Sequence, residues 1–498
     1  MSADLVSLLL QFQPEAPELK QRREYDQQAR NFVTQLSNVS ASHWQKGADS
    51  SQDVLSVLNP AVNSIAYAFA LRHRIQATMD KTNMPDALQP GGALWDKLVL
   101  WLETFDPIQM RYAGAEWKRL VDSTEQIARA SGSPALAIAP IRSAMVRLDP
   151  TTGTFTSTHL LFIQLCMETR SYAAAEPILD NYIHSIPTKM PQSVREGLEY
   201  SVPCADVATS GEYIHQASGH SDKVTLLDLQ EYYLLGAMAY FGLGQYKKAR
   251  QVLEHVLVAP SANVANGFML EAYKKWVLAS CLVNAKDLVT PRTANPNAMK
   301  QVKSASRAYD AVAEAYQQSG NLAKLKAQIK AGSEIWAEDG NAGLVKEVVE
   351  SQMRAYVSRL SQTFSAIPVS NICNTLGGSG EEVVQYLESL ISGGHLNACV
   401  EQSDKAKAGT VLRFFLDPSQ GPLAKTEKQQ QQALLEQTLR TKMLAEYVKD
   451  ADYRLTLTKE YTDHVKRMSK KQGGGGDAMD TAWDDGLDPE EDLMNDMH

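Results

Sequence analysis

In the stretch YFGLGQYKKARQVLEHVL, residues 240 to 257, one helix ends at a glycine, Tyr246 follows the turn and Ala249 stands three residues further on. The same relation occurs in RSYAAA, where Tyr172 precedes Ala175 after the apolar run LLFIQLCME. An aromatic after the turn, and a small residue where two helices approach, is a mark of repeated helix pairs. Upstream, SPALAIAPIRSAMVRLDP carries Ala137, Ile141 and Ala144 at the spacing of a second helix, closed by Pro150. Downstream, SGNLAKLKAQI places Leu322 and Leu325 after Gly320. The offsets are 38 from Pro134 to Tyr172, 74 from Tyr172 to Tyr246 and 76 from Tyr246 to Leu322. The two larger steps are each close to twice a period of ~34–40 residues. A helix pair that cannot bury its face alone has to stack, so the pattern predicts a helical solenoid. The alternative is an irregular all-helical domain whose turns coincide.

A second pattern occupies about residues 362 to 417. It begins with the strand-like QTFSAI, followed by a short helix PVSNICNTL, a GGSG turn and a helix EEVVQYLESLIS. Two alternating stretches follow, HLNACV with Leu396, Ala398 and Val400 on one face, and TVLRFFL with Leu412, Phe414 and Leu416 on one face. Period-two alternation around the polar loop EQSDKAKAG is a hairpin signal. The order strand–helix–helix–strand–strand is that of a winged helix.

From Pro422 to Gly473 the interior holds neither Pro nor Gly. Leu435, Leu439, Met443 and Tyr447 recur every four residues, and Leu444, Val448, Ala451 and Leu455 every three or four. That predicts a long amphipathic helix from about Lys425 to Met468, broken once near Asp450 to Tyr453. Its apolar residues follow a domain that already looks complete, so they need partners from elsewhere. Leu435, Leu439, Met443, Leu444, Tyr447, Val448 and Leu455 are the candidate subunit interface. GGGG at 473 to 476 ends the helix, and the acidic tail, residues 471 to 498, is expected to be disordered by composition.

The net charge of −9 comes from the end of that tail. Residues 477 to 498 hold nine Asp or Glu and no base; 58 acids less nine leaves 49, equal to the 49 Lys and Arg. A charge-balanced body carries no nucleic-acid footprint. Five scattered cysteines without a C-x-x-C pair predict reduced thiols in an intracellular compartment. The N-terminus lacks the basic region and cleavage site of a secretory signal, and no apolar run reaches the ~18 residues of a membrane span. These features predict a soluble cytosolic or nuclear protein.

Catalytic constellations are missing. Zinc-dependent hydrolysis needs closely spaced His ligands and an acid, with a Glu to activate water. No two of the ten histidines lie within four residues. The closest pair, His215 and His220 in SGEYIHQASGHSDK, reads as two solvated imidazoles, so no metal site is expected. GGSG at 377 to 380 lacks the Lys-Ser/Thr of a phosphate-binding loop and reads as a turn. No G-x-S-x-G elbow occurs, and no cysteine has a sequence-local activating His. The helix that would enter a DNA groove carries Glu381, Glu382 and Glu388 and no base, which phosphates would repel. The expectation is no enzyme, no cofactor, no nucleic acid and no membrane.

Helical repeats running into a winged helix resemble the PCI module of proteasome-lid, COP9 signalosome and initiation-factor scaffolds. EYYLLGAMAYFGLGQYKKARQVLEHVL, LEAYKKWVLASCLVNAK (270 to 286) and NAGLVKEVV (341 to 349) are similar to the subunit 3 family of the signalosome. The resemblance covers about residues 225 to 465. It implies a mainly α fold: TPR-like repeats over 1–224, a PCI domain over 225–420 with its helical part to about 361, an assembly helix over 421–470 and the tail. It also implies a non-catalytic scaffold of a complex that removes Nedd8 from cullins, with zinc chemistry in a different subunit. Expected partners are other PCI subunits and the metalloprotease-bearing subunits of the same complex, with cullin-RING ligases met indirectly. The alternatives are a scaffold of the proteasome lid or an initiation factor, and a PCI protein binding nucleic acid in mRNA export.

Overall fold

The computed structural model describes residues 2–12, 22–40, 43–44, 53–79, 85–187, 204–205, 210–259, 264–283, 288–317, 322–402, 409–417, 419–456 and 461–466. The chain divides into two compact units, Met1–Tyr356 and Val357–His498.

The first unit is built of helices. They begin with α1 (Ser2–Leu9), α2 (Arg22–Ser37), α3 (Ser64–Met79), α4 (Ala93–Thr104) and α5 (Gly114–Ala130). Next come α6 (Ile138–Leu148), α7 (Ser157–Glu168), α8 (Tyr172–Leu179), α9 (Leu226–Gly242) and α10 (Tyr246–Val258). The last are α11 (Gly267–Leu282), α12 (Pro296–Ala305), α13 (Arg307–Gln317), α14 (Leu322–Ala331) and α15 (Ala342–Thr363), which runs on past Tyr356. Shorter helical turns lie between them.

The helix pairs share one turn. At Gly132, Arg170, Gly244 and Gly340 the backbone adopts φ of 72°, 56°, 70° and 67°. In each case the next N–H, from Ser133, Ser171, Gln245 or Asn341, donates to a carbonyl five residues back, at 2.9 to 3.0 Å. A left-handed residue with that bond satisfies the carbonyls that a helix end leaves open. The 38- and 74-residue offsets read from the sequence separate Gly132, Arg170 and Gly244. The turn expected at Gly320 lies outside the described residues; the next of this construction is at Gly340.

Close approach explains the small residues. Ala175 and Ala249 are fully buried, as are Ala137, Ile141, Ala144 and Leu325. A Cβ on Gly242 would lie 2.4 Å from the Tyr172 ring, and one on Gly236 would lie 2.6 Å from Leu179. The second helix of one pair thus seats into a glycine notch of α9. Polar staples follow the same seam: the Tyr240 hydroxyl donates to Asp180 (2.6 Å), and Gln245 donates to Glu176 (2.9 Å). Lys248 reaches Glu176 and Asp180 as well. Further along, Trp276 donates to Glu254, Tyr273 to Asp310, and Tyr309 and Lys274 to Asp339. One continuous apolar cluster runs from Leu5 to Val348.

The second unit contains β1 (Ala366–Pro368), α16 (Val369–Leu376), α17 (Gly380–Ser392), β2 (Ala398–Gln402), β3 (Thr410–Phe414) and α18 (Glu427–Thr456). The strands form an antiparallel sheet in the order β1–β3–β2, with Ile367 opposite Leu412 and Ala398 opposite Phe414. Those four residues are buried with Ile372, Leu376, Val383, Leu387 and Leu390 of the two helices. The element order is the one read from the sequence, but the strands are shorter. Gln362 and Thr363 belong to α15, whose last turn is closed by the Phe364 N–H donating to the Leu360 carbonyl at 2.8 Å, so β1 starts only at Ala366. His395 is used in the turn that ends α17, its N–H donating to the Leu390 carbonyl, so β2 starts at Ala398. Leu416 lies past the end of β3 and is exposed rather than inward.

α18 opens with a reciprocal cap: Gln429 N–H donates to Thr426 Oγ1, and Thr426 N–H to Gln429 Oε1. It continues unbroken through Thr456, so the break expected at Asp450 to Tyr453 is absent. With neither Gly nor Pro between 427 and 456, nothing in the chain interrupts the ladder.

Candidate functional site

The seven residues singled out on the C-terminal helix all lie on α18. Leu435, Leu439, Met443, Leu444, Tyr447, Val448 and Leu455 are between 50% and 67% exposed. None of them is covered by the sheet and helices of its own unit, so the helix does not fold back through these residues. Leu434 and Tyr453 are exposed to the same extent and were missed by periodicity. Leu434 lies off both repeating series, and Tyr453 fell inside the expected break.

At ~100° per residue, Leu435, Leu439, Met443 and Tyr447 form a stripe that drifts ~40° with each step. Leu444, Val448, Ala451 and Leu455 stay within ~60° of one another, centred ~130° from the first stripe. Two apolar faces on one helix exceed what a single partner helix covers, since such a contact uses a stripe of ~100°. Isolated helices owe their stability mainly to packing of such faces. Burying each Leu or Met would contribute ~1.5–3 kcal/mol, and contiguous exposed apolar surface of this kind marks an interaction site.

The chemical alternatives fare differently. His220 is not solvated: it is fully buried against Trp117 and Tyr213, and its Nε2–H donates to the Met110 carbonyl at 3.1 Å. The local sequence misleads because the wall is remote; Gly114, whose missing Cβ leaves room for the ring, is 106 positions upstream. Burial lowers the His220 pKa to about 4, and burial lowers that of His215 too. Among the described residues no three His, Cys, Asp or Glu side chains are grouped to hold a metal. All five cysteines are free, and burial pushes the Cys166 and Cys281 thiols up to about 12, away from the reactive thiolate.

Gly377 and Gly378 have φ of 73° and 105°, the conformation a glycine turn provides. Ser379 caps α17, and the Glu382 carboxylate accepts the Ser379 N–H at 3.0 Å. An acid therefore occupies the helix end that a phosphate would need. Glu381 in the same first turn and Glu388 further along α17 are exposed. Lys405 and Lys407 of the hairpin loop lie outside the described residues, as does the tail from 471 to 498. No helix among the described residues is long and apolar enough to cross a membrane.

Stacked helix pairs, a small strand-and-helix unit and a terminal helix that shows two apolar faces to solvent define a helical-repeat protein equipped to associate with other chains. Residues 26–296 match the family model of the N-terminal helical repeats of COP9 signalosome complex subunit 3. The chain is 32% identical to COP9 signalosome complex subunit 3 of Emericella nidulans, over 95% of each chain. It is 24% identical to the Neurospora crassa protein of that name, again over 95% of each, and 26% identical to the Arabidopsis thaliana one over 64% of this chain and 65% of the other. The chain belongs to the COP9 signalosome subunit 3 family.

Proposed function

We propose that this chain is a non-catalytic scaffold subunit of a signalosome that removes Nedd8 from cullin subunits of cullin-RING ligases. Other PCI subunits and the metalloprotease-bearing subunits are its partners, it meets the ligases indirectly, and it works in cytoplasm and nucleus. The strand–helix–helix–strand–strand unit is then the winged helix of a PCI domain over 225–420, preceded by N-terminal repeats over 1–224. The reading rests above all on α18, whose seven apolar residues are exposed in the single chain. The burial of His220 against Trp117 and Tyr213 supports a structural role for that residue.

The test pairs stability with assembly. Replacing Leu435, Leu439, Met443 and Leu444 together by Ala is expected to leave the melting of the rest of the chain unchanged and to abolish recovery in the complex. Normal incorporation of a well-folded variant would remove the assembly role. Substituting the two stripes separately refines this: Leu435, Leu439 and Tyr447 in one variant, Val448 and Leu455 in the other. Different co-purifying subunits should be lost in each. Proteasomal or ribosomal partners on the unmodified chain would replace the signalosome reading by one of the other PCI scaffolds.

A further inference from the structure

We draw no further inference here: the strongest candidate, the cavity of about 520 Å³ between α16, the first turn of α17 and the β2–β3 hairpin, is bordered by Gln402 and Gly409, the residues that flank 403–408, which lie outside the described residues, so nothing in the structure shows what covers it.

Discussion

Arg170 stands where Gly132, Gly244 and Gly340 stand in the equivalent turns, at φ of 56° and exposed to solvent. The left-handed region costs a non-glycine residue ~1–2 kcal/mol, while glycine adds back part of that through the entropy of the unfolded chain. Arg170→Gly is therefore expected to stabilise the first unit by ~0.5–1 kcal/mol, and Gly244→Arg to destabilise it by a similar amount. Urea midpoints of the two variants check this, and a lower midpoint for Arg170→Gly contradicts it. The histidines give a second handle. His159 is buried, its Nε2–H donating to the Thr152 carbonyl and its Nδ1 accepting from the Thr156 N–H. Burial lowers the pKa of His159 and His220 from 6.5 to about 4. Above 6.5 both rings are neutral whether the chain is folded or not, so stability is complete there. As pH falls from 6.5 toward 4 the unfolded chain takes up protons that the folded chain refuses. Each ring then removes ~1.4 kcal/mol per pH unit. Melting temperature should fall steeply across that window, and His220→Gln should flatten the fall. An unchanged slope in that variant would show that His220 does not titrate with unfolding. Neither effect was legible in the sequence. An arginine carries no sign of a left-handed turn, and the loop around His220 is polar while its wall comes from elsewhere in the chain.

Among elements, the helix pairs were legible because their constraint is local: an aromatic, a turn and an alanine within six residues. The strands were legible in order but not in extent. β2 loses its first residues to the end of α17, a hydrogen-bonding decision that alternation cannot reveal. The sheet order leaves β1 and β2 at the edges. β1 is three residues long and ends in Pro368, which has no N–H to offer, so β2 is the edge able to pair with a strand from another chain. Single prolines scanned through Cys399 to Glu401 are expected to include one that weakens assembly while leaving the melting of the chain within a few degrees. If every such variant either assembles normally or unfolds, the edge is not a docking strand. Salt-sensitive binding of duplex DNA by residues 350 to 420 would place the unit's role elsewhere. α18 shows the reverse balance, since periodicity found its two faces but missed Leu434, Tyr453 and the continuity of the helix. Apolar spacing is written along the helix, whereas a break needs a residue that forbids helix, and there is none.

At the scale of the whole molecule, mainly helical architecture followed from repeat spacing alone. The continuity of the core from Leu5 to Val348 did not, because the contacts that join α8 to α9 cross 46 intervening residues. The Gly236 and Gly242 notch and the Lys248, Tyr240 and Gln245 staples make that junction. Spacing can suggest such a partner but cannot name it. α18 brings a different consequence, one of supply rather than shape. A chain that carries so much apolar surface uncovered on one helix is expected to stay dispersed in water only when something covers that helix. Made alone, it should find copies of itself: light scattering should report mass that grows with concentration, and a chain ending at Lys425 should stay a monomer at every concentration tested. A full-length chain that remains monomeric would mean that α18 is harmless when bare. If it does self-associate, any surplus over its neighbours is lost to aggregation or removal, and the scarcest neighbour sets how much of this protein persists.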